Sequence, residues 1–329
     1  MPTAPSSPSQ PSRIGLGCTT FGREITEDTA FALMDYAVDH GITLFDTAEA
    51  YGGGQARETR KRLLGVEDTR EVSHEMHSSE KIIGRWLRSR GGRDRITLVT
   101  KTSRNFQRAQ VRASLEASLQ RLQTDHVDQY LYHSYDPSTP VDEASRAMDG
   151  VIKAGLTRVG GCSNYKPEQL QAALDESKRT GLARFEVVQL GYSLVKSQDE
   201  IFRIVEREKI GFQAFSPLAA GFLSGKYTPD RATIPKGSRF DVIPAHADLY
   251  FTDRNFQRVA WLHELAGQAG VPPLQLAMAW VFQNPLVTTV LVGARTEAHL
   301  ANALAAERLA FAPEWLNAIQ GWDTAQSVH

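Results

Sequence analysis

The stretch ITLVTKTSRNFQRAQVRASLEASLQRLQTDHVDQYLYHS, residues 96–134, decides the fold. It opens and closes on short apolar runs rich in β-branched and aromatic residues, ITLVT (96–100) and VDQYLY (127–132). Between them, QVRASLEASLQRLQ repeats its apolar residues at helical spacing. Strand, helix and strand in that order are the unit of a parallel α/β fold.

The alternation continues in both directions. Further strands are predicted for IGLGC (14–18), ITLF (42–45), RVGGC (158–162), EVVQL (186–190), IGFQAF (210–215) and TTVLV (288–292), eight in all. Helical patterns such as EDTAFALMDYAVDHG, SSEKIIGRWLRSRG, VDEASRAMDGVIKAG and PEQLQAALDESKRTG lie between them, several closed by the glycine expected after a helix C-terminus. Eight βα units favour closure into a (β/α)8 TIM barrel of parallel strands over an open sheet. Two connections are long, Gln55–His77 and Pro217 to about Arg254. Each follows a strand and precedes a helix, so both fall on the C-terminal face, where barrels carry their sites. The first is charged and poorly periodic; ordered, it would border a pocket there, and otherwise it is a mobile lid or an interface arm. APEWLNAIQGWDTAQ near the end reads as an amphipathic helix packed on the barrel side. The expected organisation is a flexible Pro/Ser-rich tail (1–12) and one barrel domain (13–329).

Thirty-seven basic against 38 acidic residues leave a formal charge of -1, which argues against nucleic acid or anionic lipid as partners and for small molecules. Cys18 and Cys162, far apart in apolar surroundings, fit reduced thiols in a cytoplasm. No stretch approaches the roughly 20 apolar residues of a membrane span. The opening MPTAPSSPSQPS has neither the basic start nor the apolar centre of a signal peptide.

Chemistry enters at the strand ends. ITLF is followed by Asp46, ITLVT by Lys101 and VDQYLY by His133, while RVGGC leads into Ser163-Asn164 and EVV into Gln189. A single charge past a strand is usually a solvated loop start. Three ionisable groups on three consecutive strands, about 4.8 Å apart, should converge on one rim. Tyr51, in the loop after Asp46, can fold back over them.

With these residues in place the sequence resembles the aldo-keto reductases, most of all the bacterial reductases and the potassium-channel β-subunit branch, over roughly Ile14 to Ala306. GITLFDTAEAYGGG (41–54) is similar to the family's G-x-x-x-x-D-T-A-x-x-Y-G segment, GCSNY (161–165) to its G-x-S-N motif, and FSPLAAGFLSGKY (215–227) to its Y-S-P-L-A-x-G-x-L-x-G-K-Y loop. The resemblance implies a catalytic tetrad of Asp46, Tyr51, Lys101 and His133 and an NADPH-dependent reduction of an aldehyde or ketone. The chemistry agrees. The alkoxide left by hydride transfer needs a proton, and a phenol is a poor acid near neutrality unless a cation favours its ionised form. Lys101 can supply the cation, Asp46 can hold it, and His133 can donate to the substrate oxygen.

For the cofactor, Ser163, Asn164 and Gln189 can pair with a nicotinamide carboxamide. By resemblance, Phe215 stacks on the ring where the family has Tyr or Trp, and the loop from Ser216 through Pro217, Leu218 and Gly221 to Lys226 wraps the pyrophosphate. Lys226 and Arg239 are its candidate cations. Gly293 and Arg295 open a helix after the last strand, a setting suited to phosphate and to NADPH over NADH. Where the family pattern has Gln and Asn toward adenine, this chain has His299 and Ala303, with Asn302 beside the latter. The GLGCTT segment (15–20) lacks the third glycine of a dinucleotide fingerprint, so Cys18 and Thr19 are expected to line the pocket with their backbone. His74, Glu75 and His77 lack the companions of a metal site and read as a solvated loop. Trp86 reads as core. A nucleotide-holding regulatory protein of the channel-subunit type is the alternative to an enzyme. The substrate and oligomeric state stay open.

Overall fold

The structure is a computed structural model describing residues 13–65, 71–103 and 105–322, without the side chains of residues 63 and 64. The expected tail (1–12) lies outside the described residues. Eight parallel strands close into a barrel: β1 (Ile14–Gly17), β2 (Leu44–Asp46), β3 (Thr97–Thr102), β4 (Val127–Tyr132), β5 (Thr157–Ser163), β6 (Phe185–Gly191), β7 (Gly211–Phe215) and β8 (Val287–Gly293). Closure is made by β1 against β8, with Ile14 opposite Val290 and Gly17 opposite Gly293. The strands sit where the apolar runs predicted them, with one shift of consequence. Asp46 ends β2 and Lys101 lies inside β3, so both side chains are fixed by strand backbone instead of following it in a loop.

The helices are α1 (Glu27–Asp39), α2 (Gly53–Leu64), α3 (Ser78–Arg90), α4 (Arg108–Leu122), α5 (Val141–Lys153), α6 (Pro167–Thr180), α7 (Asp199–Glu208), α8 (Arg239–Val242), α9 (Ala245–Tyr250), α10 (Asp253–Ala269), α11 (Pro273–Gln283), α12 (Glu297–Arg308) and α13 (Pro313–Gly321). Their starts follow local chemistry: the Thr26 hydroxyl caps α1 by accepting from Thr29 N, and Thr252 caps α10 the same way through Asn255 N.

Inside the barrel, Leu44, Val99, Leu131, Val187 and Leu291 form an apolar layer. Gly15 leaves room for it, since a Cβ there would lie 2.6 Å from Leu291 Cδ2 and 2.8 Å from Leu44 Cδ2. A polar chain also crosses the barrel: Gln213 Nε2 donates to Gln129 Oε1 (2.8 Å), and Gln189 Nε2 donates to both Gln213 Oε1 (3.0 Å) and Asp46 Oδ1 (2.8 Å). In a dry interior such a chain is stable only when its members are paired, and these fix one another's rotamers. The main core lies between strands and helices and includes Trp86, whose Nε1 donates to Asp35 Oδ1 at 2.8 Å.

The two long connections depart from expectation. Gln55–His77, read as poorly periodic loop, contains most of α2, and Arg60 and Glu71 form a buried ion pair inside it. The segment is also pressed onto its surroundings, because a Cβ at Gly53 would meet Ser73 O at 1.9 Å and Gly22 O at 2.3 Å. The second connection builds its own core of Phe222, Tyr227, Phe240, Ala247 and Tyr250 against Leu262 and Leu276, which Ile319, Trp315 and Trp322 of the C-terminal segment extend. α11 was not foreseen: PLQLAMAWVFQ is apolar on almost every face and buried under β8.

Candidate active site

The mouth at the C-terminal ends of β2, β3 and β4 brings the four predicted catalytic residues together. Lys101 is fully buried, and its Nζ donates to Asp46 Oδ1 (2.6 Å) and to the Thr47 carbonyl (2.8 Å). The same Nζ lies 5.1 Å from the centre of the Tyr51 ring, whose other neighbour is His133, edge to face at 5.4 Å between ring centres. Burial pulls the Lys101 ammonium toward neutrality, but Asp46, Tyr51 and Cys18 together pull the other way, and the balance lies above the ordinary value, so the group is held as a cation.

Burial pushes the Tyr51 phenol up, Lys101 pulls it back, Asp46 adds to the rise and Arg239 opposes it; the balance is above the ordinary value. The sequence argument stressed only the lysine. In this structure burial prevails, so the phenol keeps its proton and is a hydrogen-bond donor. His133 is pushed the other way: burial first and then Lys101 lower it to about 3. Its imidazole is therefore neutral near pH 7, able to donate one hydrogen bond without adding charge.

Around this centre, Ser163 ends β5 and Gln189 lies in β6, both buried. Asn164 stands exposed in the left-handed region (φ 57), with its Nδ2 on the His133 carbonyl (2.9 Å). Phe215 ends β7 half-buried. After it, Ser216, Ala219 and Ala220 all adopt positive φ (54, 50 and 58), a concentration of costly backbone that runs through Pro217 and Leu218 to Gly221 (φ 87) and Lys226. Cys18 is buried, with its N on the Asp46 carbonyl (2.9 Å), and Thr19 is half-buried beside it.

A second centre joins three loops. Glu24, after β1, accepts from Arg23 (2.8 Å) and from Arg239 of the β7 connection (3.0 Å), and Arg295, after β8, stands 3.9 Å away. One carboxylate thus faces three guanidiniums. Nearby, Arg23 Nε, Ser238 Oγ and His246 Nδ1 are buried without a hydrogen-bond partner among the described residues. Cations in excess and orphaned polar atoms fit the phosphate groups of a dinucleotide. Sequence reasoning singled out Arg239 and Arg295 and missed Arg23, Glu24, Ser238 and His246, which no motif connects across about 215 residues of chain. His299 is exposed and bonded to Thr296 Oγ1 (2.9 Å), whereas Asn302 accepts from Gln275 of α11 (3.0 Å) and Ala303 is buried. His74 bonds to Arg57 and Glu75 pairs with Lys81 and Arg85. The described residues include no helix long and apolar enough to cross a membrane.

Comparison with known proteins accords with this geometry. The chain is 30% identical over 322 residues to the "Uncharacterized oxidoreductase YrpG" of Bacillus subtilis, covering 93% of this chain and 90% of that protein. It is 30% identical over 295 residues to a "Probable voltage-gated potassium channel subunit beta" of Arabidopsis thaliana (85% and 82%). It is 29% identical over 324 residues to "Protein tas" of Escherichia coli (89% and 88%). The profile of the aldo/keto reductase family matches residues 13–323. With its barrel, its strand-end charges and that match across nearly the whole length, the chain belongs to the aldo/keto reductase family of oxidoreductases.

Proposed function

We propose that this protein reduces the carbonyl of an aldehyde or ketone with NADPH, Tyr51 giving the proton. The observation that carries the reading is the buried Asp46–Lys101 pair set against a protonated Tyr51 and a neutral His133 at one barrel mouth. Bound NADPH supplies the hydride. The protein's residues do the rest: Tyr51 and His133 donate hydrogen bonds to the substrate oxygen, and as negative charge grows there Tyr51 releases its proton to it. The Lys101 ammonium then stabilises the tyrosinate left behind, and Asp46 keeps that ammonium charged and in place. Ser163, Asn164 and Gln189 would hold the carboxamide and Phe215 would stack on the ring. Arg239, Arg295 and Lys226 would face the phosphates, with Arg295 at the 2'-phosphate favouring NADPH over NADH. A cytoplasmic site of action fits the two buried free thiols.

The names of the plant relatives motivate a second reading, a regulatory protein that holds the nucleotide. The intact tetrad favours the enzyme. Mixing the protein with NADPH and a panel of aldehydes and ketones, and following the absorbance of the reduced nicotinamide, separates the two. Consumption supports the reductase; tight binding without consumption of NADPH across the panel supports the regulator.

A further inference from the structure

We propose that Gln55 and His77, both in the β2–α3 connection, are positioning residues that set the place of the Tyr51 hydroxyl. The inference rests on the reading of Tyr51 as the acid. Tyr51 sits in the short turn Ala48–Gly52, in which Ala48 is buried, Glu49 half-buried and Ala50 exposed. Polar ties hold this turn. Glu49 N donates to the Lys101 carbonyl (3.1 Å), and its carboxylate accepts from Thr102 Oγ1 (2.9 Å) and Ser103 N (2.8 Å), fastening one side to β3 and the loop after it.

The other side is fastened by the insertion. The Glu49 carbonyl, two residues before Tyr51, accepts from both Gln55 Nε2 (3.2 Å) and His77 Nδ1 (2.5 Å). Gln55 Oε1 in turn accepts from the His77 backbone N (2.8 Å), which closes a three-membered ring of hydrogen bonds. A carbonyl oxygen can only accept, so His77 must carry a proton on Nδ1. His77 is also one of the few non-glycine residues at positive φ (56), at the start of α3. A histidine kept in that region is a local cost, and here the same backbone delivers its ring to the Glu49 carbonyl. Tyr51 itself adds two backbone ties, its N to the Ala48 carbonyl and its carbonyl from Ser79 N, while its ring meets Lys101 and His133.

The test uses four variants of the full chain, assayed with NADPH and the best carbonyl of the panel. His77→Ala and Gln55→Leu should lower kcat by about tenfold to a hundredfold, the scale of a small misplacement of a reacting group, while the Kd for NADPH stays unchanged. His77→Asn should recover most of the loss, because Asn tolerates the left-handed region and offers a side-chain N–H of similar reach. Tyr51→Phe is run alongside. Full kcat in both His77→Ala and Gln55→Leu overturns the clamp while a dead Tyr51→Phe leaves the acid standing. Equal loss in His77→Asn and His77→Ala also overturns it, and so does unfolding of both His77→Ala and Gln55→Leu, which would make the pair scaffold. Turnover by Tyr51→Phe removes the acid reading, and the clamp with it.

Discussion

The β2–α3 and β7–α10 connections flank the same mouth and are built from opposite materials. The first is held by hydrogen bonds, the buried Arg60–Glu71 pair and glycines pressed against backbone. The second has an aromatic core centred on Phe222, which stacks or tilts against Tyr227, Phe240, Tyr250 and Phe251 and meets Phe256 edge-on. The materials suit different tasks. Directional hydrogen bonds fix a single oxygen to a fraction of an ångström, as a proton donor requires. A packed apolar wall can carry costly backbone and a set of cations around an extended ligand. The two connections should therefore separate in experiment, one acting on turnover and the other on cofactor affinity.

Phe222→Ala should give the largest effect on stability, about 3–5 kcal/mol from the cavity left at the centre of the aromatic cluster. It should weaken NADPH binding more than it slows turnover of the bound complex. A melt and a titration check this, and an unchanged Kd would break the division of tasks. Arg60→Ala should cost about 3 kcal/mol, since Glu71 keeps a buried charge with its guanidinium partner gone. Its activity loss should appear in kcat. If it appears in the Kd for NADPH, the β2–α3 connection is not confined to Tyr51.

A sharper comparison comes from Arg295→Ala, which should weaken NADPH by roughly tenfold to a hundredfold and leave NADH nearly untouched if one charged contact is worth about 1.5–3 kcal/mol. Equal loss for both cofactors would take Arg295 away from the 2'-phosphate.

A further effect is on pH. Burial, then Arg239 and Arg23, lower His246 to about 4 from its ordinary 6.5. The unfolded chain therefore takes up that proton first as the pH falls. Stability is fully present above 6.5 and declines as pH drops from 6.5 toward 4. His246→Gln should flatten that slope, and urea titrations at several pH values measure it; an unaltered slope would show that His246 does not titrate on unfolding.

The barrel was readable because each strand is a compact β-rich run, and the meeting of Asp46, Lys101 and His133 at one mouth because they stand at or near strand ends, where direction is set by the backbone. α2 was not readable as a helix. QARETRKRLL is so charged that it shows no apolar stripe, and the ties described for the helix are polar, from Gly53 N to Ser78 Oγ, from Gly54 N to the Glu75 carbonyl and from Arg60 to Glu71. α11 failed for the opposite reason, being apolar all round and without a period. Glu24 escaped because its meaning lies in Arg239 and Arg295, which reach it only once the barrel has closed.

The central claim is that Tyr51 delivers the proton from a mouth charged by Lys101 and Asp46. Its most direct test is NADPH oxidation by wild type and Tyr51→Phe with the same carbonyl, alongside the NADPH dissociation constant of each. The account predicts that kcat falls by about a hundredfold or more while the dissociation constant barely moves, because the substitution removes one hydroxyl and little of the cofactor site. Near wild-type turnover in Tyr51→Phe would contradict it.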